Sequence, residues 1–362
     1  LREGRKPTHR PRNPTSRPTT LQAILSRMRR LRVPLPATAF ASAALPFLLQ
    51  PLVAQAATSP QPATQAATAR RLQVLFLGAP TQNGPHHDPI TRYAALKRGL
   101  GTAGIDLTYS EDPAQAFTPT TLQAFDAVLL YGNWQQQGTL PEPQLRALLD
   151  YVERGGGFVP VHCASACWGR SPQFVRLVGG RFQNHGGEEF EVANLQPEHP
   201  ALRGVPGFRA WDETYVHDSH GEDRTVLQVR AGEPWTWVRS QGQGRVFYTA
   251  AGHDHRVWDR PEYQQLLRQG IVWAAGETAA QALAALELPV LETEAVTLPG
   301  YRQRRAIVQA QKPLPAEASR KLIQVPVGFE VALFASEPEI VNPIAVAWDA
   351  RGRAYVVETV DY

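Results

Sequence analysis

The chain has 362 residues, 43% hydrophobic and 19% charged, which is enough apolar material for a sizeable core and enough length for two domains. Its formal charge of +4 comes from one place: Arg2, Arg5, Lys6, Arg10, Arg12, Arg17, Arg27, Arg29, Arg30 and Arg32 face a single acid, Glu3. Without that segment the chain is near neutral or acidic, which argues against a nucleic-acid partner.

The only methionine is Met28. From there the sequence reads as a secretory signal peptide: basic Arg29, Arg30 and Arg32, an apolar stretch centred on Ala39 to Leu49, and a small-residue cleavage site at Ala54-Gln55-Ala56. Residues 1–27 are expected to be upstream sequence read from a misplaced start, and 28–56 the signal. Export then places the mature protein in the periplasm or outside the cell. The alternative is an uncleaved anchor, but Pro34, Pro36, Pro46 and Pro51 interrupt the apolar stretch, which falls short of the roughly 20 residues a spanning helix needs. No stable membrane span is expected after cleavage.

A polar linker over 57–70 precedes a domain expected to cover 71–276. The run Leu72–Gly78 predicts a buried strand and Thr91–Ala103 a helix. Ile105–Tyr109 and Phe125–Tyr131 predict two more strands, Pro141–Arg154 an amphipathic helix stopped by Gly155-Gly156-Gly157, and Phe158–His162 a fourth strand. Strands alternating with helices imply an open, doubly wound, mostly parallel sheet of flavodoxin-like type. Beyond Gly187 the pattern changes to short strands at Phe190–Leu195, Thr225–Arg230, Thr236–Arg239 and Arg245–Ala250. Trp211–His217 is readable as another strand, and a helix over Pro261–Ala275 closes the unit. Residues 277–326 form a second linker with a helix at Thr278–Leu286. Strands at Gly328–Ala335, Ala345–Asp349 and Arg351–Glu358 predict a meander over 327–362, too small to fold alone.

In such a sheet a ligand sits beyond the carboxyl ends of the strands, near the point where strand order reverses. The chemistry-bearing residues gather there: His86-His87-Asp88 after the first strand, Asn133 and Trp134 after the third, His162, Cys163 and Ser165 after the fourth, and His253-Asp254-His255 after the last. His162 and His253 are the candidate acid/base or ligand pair, since a neutral imidazole suits proton transfer near pH 7. His87, Trp134, Ser165, His185, Glu213, His217 and Asp254 are candidate substrate-binding residues. Each has a bland alternative: a solvated loop pair at His86-His87, a core histidine at His162, a plain turn at Gly186-Gly187, packed aromatics over Trp211–His217. A divalent metal fits the histidine content, although no local signature such as HExxH is present. Cys163 and Cys167 are the only cysteines; a disulfide comes into question in an oxidising compartment, but their spacing across a strand-to-helix turn makes the geometry doubtful. No CxxCH motif is present, so no c-type haem is expected on this chain.

Several ordered segments resemble the ThuA-type (trehalose-utilisation-like) family: Gly156–Ser165, Val178-Gly179-Gly180-Arg181-Phe182, Glu198-His199-Pro200, Trp211–Tyr215, and Gly244–Thr249 through Gly252-His253-Asp254. The resemblance implies a class I glutamine amidotransferase-like fold and an association with trehalose and keto-sugar metabolism. Amidotransferase chemistry is not carried over, because His162 stands at the elbow where that chemistry needs a cysteine, and Cys163 lies one residue beyond. The segment from Gly328, through Ser336-Glu337-Pro338, Asn342-Pro343 and Trp348-Asp349, resembles the opening blade of a sugar-dehydrogenase-like, haem-associated β-propeller. That resemblance implies the remainder of a propeller and cytochrome c polypeptide as partner, and this chain as a fragment of it. Three functions stay open: an enzyme module acting on a sugar or keto-sugar, a non-catalytic carbohydrate-binding module serving the propeller, and a cysteine hydrolase using Cys163 with His253.

Overall fold

Leu72–Gly78 forms β1, buried along its length as a central parallel strand has to be. The computed structural model describes residues 68–80, 87–295 and 309–359. The upstream segment, the signal peptide, most of the first linker, His86 and residues 296–308 of the second linker lie outside the described residues. After β1, Asp88 caps helix α1 (Pro89–Gly101): its carboxylate accepts from the backbone N–H of Ile90 at 3.1 Å and of Thr91 at 3.4 Å. Pro89 occupies the first turn, where its missing N–H costs nothing. β2 (Ile105–Ser110), β3 (Ala127–Tyr131), helix α2 (Glu142–Glu153) and β4 (Gly157–Pro160) follow, and helix α3 (Pro172–Val178) comes before a change of topology.

β5 (Arg181–Glu191) and β7 (Arg209–Asp218) pair with each other as an antiparallel ribbon apart from the main sheet. The main sheet also takes in β6 (Ala193–Asn194), β8 (Thr225–Arg230), β9 (Glu233–Gln241) and β10 (Gly244–Thr249). Its order is β2-β1-β3-β4-β10-β9-β8-β6, parallel from β2 to β10 and antiparallel from β10 to β6. The doubly wound, mostly parallel arrangement is therefore the observed one. The chain steps outward from β1 to β2 and then the other way to β3 and β4, so the reversal lies between β1 and β3. Phe76, Leu77, Leu129, Leu130, Phe158 and Val159 fill the core with no exposure, each contributing roughly 1.5–3 kcal/mol of burial. Helices α4 (Pro261–Ala274) and α5 (Glu277–Ala284) close this unit.

The structure corrects four boundaries. β4 ends at Pro160, so His162 is not a strand residue but opens a short 3-10 turn over His162–Ala166. Gly186 and Gly187 do not turn; β5 starts at Arg181 and runs through both. They stay extended because their missing side chains leave room: a Cβ would stand 2.9 Å from Thr214 Oγ1 at Gly186 and 3.0 Å from the Trp211 ring at Gly187. The second linker is partly ordered, with a ribbon of β11 (Thr293–Glu294) and β12 (Ala310–Gln311) and a helix α6 (Ala316–Leu322). Arg71 donates to the carbonyl of Lys321 at 2.5 Å and Gln324 to that of Lys97 at 3.2 Å, tying this segment to β1 and α1.

Finally, the expected meander is a single hairpin, β13 (Pro343–Trp348) with β14 (Ala354–Glu358), and 328–335 carries no strand. That segment has no neighbouring strand among the described residues to take its backbone hydrogen bonds, and Phe329 and Phe334 are exposed. A propeller blade is not formed by the described residues. No helix among them is long and apolar enough to cross a membrane.

Candidate functional site

Three loops at the carboxyl edge of the sheet, and one strand of the β5–β7 ribbon, deliver side chains to a single point. His87 follows β1, held at φ 56° immediately before the Asp88 cap. His162 follows β4 at φ 48°, another left-handed residue that is not glycine. Such backbone costs about 1 kcal/mol or more and persists where the surroundings enforce it, often at functional sites. Val161 bridges to Thr249, which sets the end of β4 beside the end of β10 and so brings His253 within reach. Glu213 comes from the middle of β7.

Their ligand atoms lie within 4.8 Å of one another. His162 Nε2 stands 3.1 Å from His87 Nε2 and 3.3 Å from Glu213 Oε2. His253 Nδ1 stands 3.3 Å from His87 Nε2 and 3.2 Å from Glu213 Oε1, and His87 Nε2 is 3.5 Å from Glu213 Oε2. His162 Nδ1 is 2.6 Å from the carbonyl of Ala250, which can only accept. Its proton therefore sits on Nδ1, and Nε2 presents a lone pair to the cluster. This explains why Glu213 Oε2, buried and 3.3 Å from that nitrogen, still has no hydrogen bond: two acceptors face each other.

Burial holds His162 neutral, lowering its pKa to about 4 against the opposing pull of Glu213. For Glu213, burial works upward, but His162, His253 and His87 outweigh it and hold the carboxyl well below the usual carboxylate range. Burial also opposes a charge on His253, yet Glu213 raises its pKa, so a proton at this cluster is best placed between His253 and Glu213.

The loop carrying His253 is fastened from below. Asp212, with no exposure, accepts from the backbone N–H groups of Gly252 at 2.7 Å, His253 at 3.0 Å and Glu213 at 2.9 Å. Tyr131 and Trp258 donate to the carbonyl of Gly252 at 2.8 and 2.7 Å, and Tyr263 donates to that of Ala251 at 2.8 Å. Gly252 sits at φ 139°, where a Cβ would meet Tyr263 Oη at 2.8 Å and His162 Cβ at 3.2 Å.

A family model described as ThuA, trehalose utilisation, matches residues 73–274, more than half the chain and the whole span that builds this cluster. The chain belongs to the ThuA family. A second family model, a domain of unknown function (DUF7133), matches residues 315–362. No curated protein matches the chain. Among solved structures, a ThuA-like protein from Parabacteroides merdae is 21% identical over 57% of this chain and 90% of its own, with a TM-score of 0.49. One from Bacteroides uniformis is 22% identical over 61% and 99%, with a TM-score of 0.48.

In this ThuA domain His87, His162 and His253 do meet, with Glu213 as the fourth member and His185 close by. His185 Nε2 is 3.8 Å from Glu213 Oε1, and with 42% of its side chain exposed it is the most open imidazole at the site. Four other expected residues lie elsewhere. Trp134 is buried and stacked on Trp168, centroids 5.1 Å apart, so it packs the core. Asp254 caps the short helix His255–Trp258 and pairs with Arg256. Ser165 and His217 are buried behind His162: His217 Nε2 is 3.1 Å from Ser165 Oγ and 2.9 Å from Tyr248 Oη, and Tyr248 donates to the His162 carbonyl at 3.0 Å. They support the strained backbone of His162 rather than reach a ligand. Cys163 and Cys167 are free and buried, with Cys167 Sγ donating to the Gly132 carbonyl. Burial pushes the Cys163 thiol well up, away from the thiolate a nucleophile needs.

His217 carries a pH prediction. Burial lowers its pKa to about 3, and its Nδ1 has no hydrogen-bond partner. The unfolded chain takes up this proton near pH 6.5 and the folded chain only near 3, so stability is full above about 6.5 and falls as pH drops through that window. Urea unfolding between pH 3.5 and 7.5 should show His217→Gln with a slope of stability on pH shallower by up to about 1.4 kcal/mol per unit. Parallel slopes for the two proteins would show that His217 is not held neutral.

The donor set also passes a test for a divalent transition ion. Three imidazoles and a carboxylate are the N/O ligands such ions take, and a tetrahedral ion with bonds of roughly 2.1 Å spaces its ligands about 3.4 Å apart. With Oε2 as the one ligand atom of Glu213, four contacts span 3.1 to 3.5 Å, and the four ligand atoms all lie within 4.8 Å of one another. The His162 lone pair facing an unbonded carboxylate oxygen is a place where a cation fits.

Proposed function

We propose that this ThuA-family domain is a metal-assisted site acting on a sugar or keto-sugar, with His87, His162, Glu213 and His253 holding a divalent ion. The observation that carries the proposal is the commitment of His162 Nδ1 to the Ala250 carbonyl, which turns Nε2 toward three other ligand atoms. A bound ion would supply Lewis-acid polarisation of a carbonyl or an activated water. The residues supply the rest. Asp212 and Ala250 orient the ligands, Tyr215 stacks on His162 at 4.1 Å, and His185 is the imidazole of the site most open to solvent. The trehalose-utilisation family supports the sugar; the buried thiol removes support from the cysteine-hydrolase alternative.

Metal analysis of the purified chain is expected to find about one equivalent per chain. Turnover of a 3-keto-disaccharide is expected to disappear in a His162→Ala variant that stays folded by circular dichroism. Sugar binding with no turnover in the metal-loaded protein would instead establish a carbohydrate-binding module. Export from Met28 is part of the same proposal, and mass spectrometry of the mature amino terminus tests it: a peptide from within residues 1–27 would overturn it. The apolar residues left exposed on the hairpin, including Ile344, Trp348 and Val357, support packing of that segment against further β structure.

A further inference from the structure

Beside the cluster lies a cleft of about 460 Å³, within the range of small-ligand sites, whose lining includes Gln135, Gln136, Arg170, Arg181 and Phe182. Phe182 joins it to the site: its ring packs on Tyr215 at 4.5 Å, and Tyr215 stacks on His162 at 4.1 Å. The two arginines differ. Arg181 is paired with Asp218 through two contacts of 2.8 Å. The exposed Arg170 guanidinium has no acidic partner among the described residues, and it lies over Gly138. Its backbone N–H donates to the Gly138 carbonyl at 2.8 Å, and the guanidinium lies so close over Gly138 that a Cβ there would be 2.2 Å from it. Gly138 itself sits at φ 70°, conformationally suited to glycine. Of the three consecutive glutamines, Gln137 is occupied by the Trp168 indole N–H at 3.1 Å, whereas Gln135 and Gln136 line the cleft.

A solvent-facing cation without an acidic partner, two amides that donate and accept, and an aromatic ring are the groups that recognise a small polyol carrying one negative group. We infer that this cleft is a subsite for an anionic sugar, a hexose-sized ring whose acid group pairs with Arg170 and whose hydroxyls meet Gln135 and Gln136. The inference rests on the carbohydrate reading above and narrows it to acidic sugars.

Isothermal titration with D-glucuronate, glucose 6-phosphate and glucose tests it, with metal content measured on the same samples. At least one anionic sugar is expected to bind 10-fold or more tighter than glucose, and comparison of the two tells carboxylate from phosphate. Arg170→Gln is expected to remove that preference with metal content unchanged. Equal binding of glucose, no binding of any of the three, or a preference that survives Arg170→Gln would each overturn the subsite. Loss of metal binding in the parent protein bears on the metal centre alone, because the Arg170 comparison does not depend on it.

Discussion

Glu213→Gln is expected to separate folding from metal binding. The amide is isosteric with the carboxylate, and it brings a donor to this pair: its N–H₂ can donate a hydrogen bond to His162 Nε2, which faces Glu213 Oε2 across 3.3 Å without a hydrogen bond. The metal-free variant should therefore unfold within about 1 kcal/mol of the parent, the lost pairing with His253 being offset by the new donor. Metal affinity should fall by roughly 100-fold or more, since one ligand and the only negative charge of the set are gone. The parent, at 100 times its dissociation constant for zinc or cobalt, gains about 2.7 kcal/mol, which for a domain of this size raises the melting temperature by roughly 5–10 °C. Calorimetry with and without metal reads both effects. A variant that keeps the metal-dependent shift would show that Glu213 is not a ligand.

Asp212→Ala should be the most damaging single change at the site that leaves all four ligand side chains in place. Asp212 is fully buried, and its removal strands the N–H groups of Gly252, His253 and Glu213 at once. An orphaned buried donor costs about 1–3 kcal/mol, and the aspartate's own desolvation, which lifts its pKa to about 7, is recovered in part. The net loss expected in urea unfolding is about 3–5 kcal/mol. Asp212→Asn keeps one acceptor and turns a donor toward the loop, so it should fall between parent and alanine. Both variants should weaken metal binding as well, because the loop that aims His253 is no longer fastened. An alanine variant losing less than about 1 kcal/mol would place the anchoring of the loop elsewhere, with the Tyr131, Trp258 and Tyr263 donors.

The positions of most strands were legible because apolar runs such as Leu72–Gly78, punctuated by glycine and proline, are local signals. The candidate histidines were legible for a related reason: in a doubly wound sheet, residues just past the carboxyl ends of strands share one rim, so His87, His162 and His253 could be nominated without a distance. Glu213 was nominated only as a residue able to reach a ligand, since β7 belongs to a ribbon outside the main sheet and nothing local says where that ribbon folds. Trp134, Ser165, His217 and Asp254 carry the same chemistry and similar positions in the chain, yet packing sends them to a ring stack, a buried network and a helix cap. Asp212 was passed over beside Glu213 because its role is made by backbone N–H groups about 40 residues away.

Sequence alone thus determined the parallel sheet and the rim on which its chemistry is displayed, for these follow from periodicity and turn residues acting over a few positions, while ordered motifs carried the resemblance to the family. Tertiary structure decided which rim residues converge and which tautomer His162 adopts. It also decided that the remaining lone pairs face one another, since each depends on a partner far along the chain: Ala250 for His162, Asp212 for His253 and the fold of the β5–β7 ribbon for Glu213.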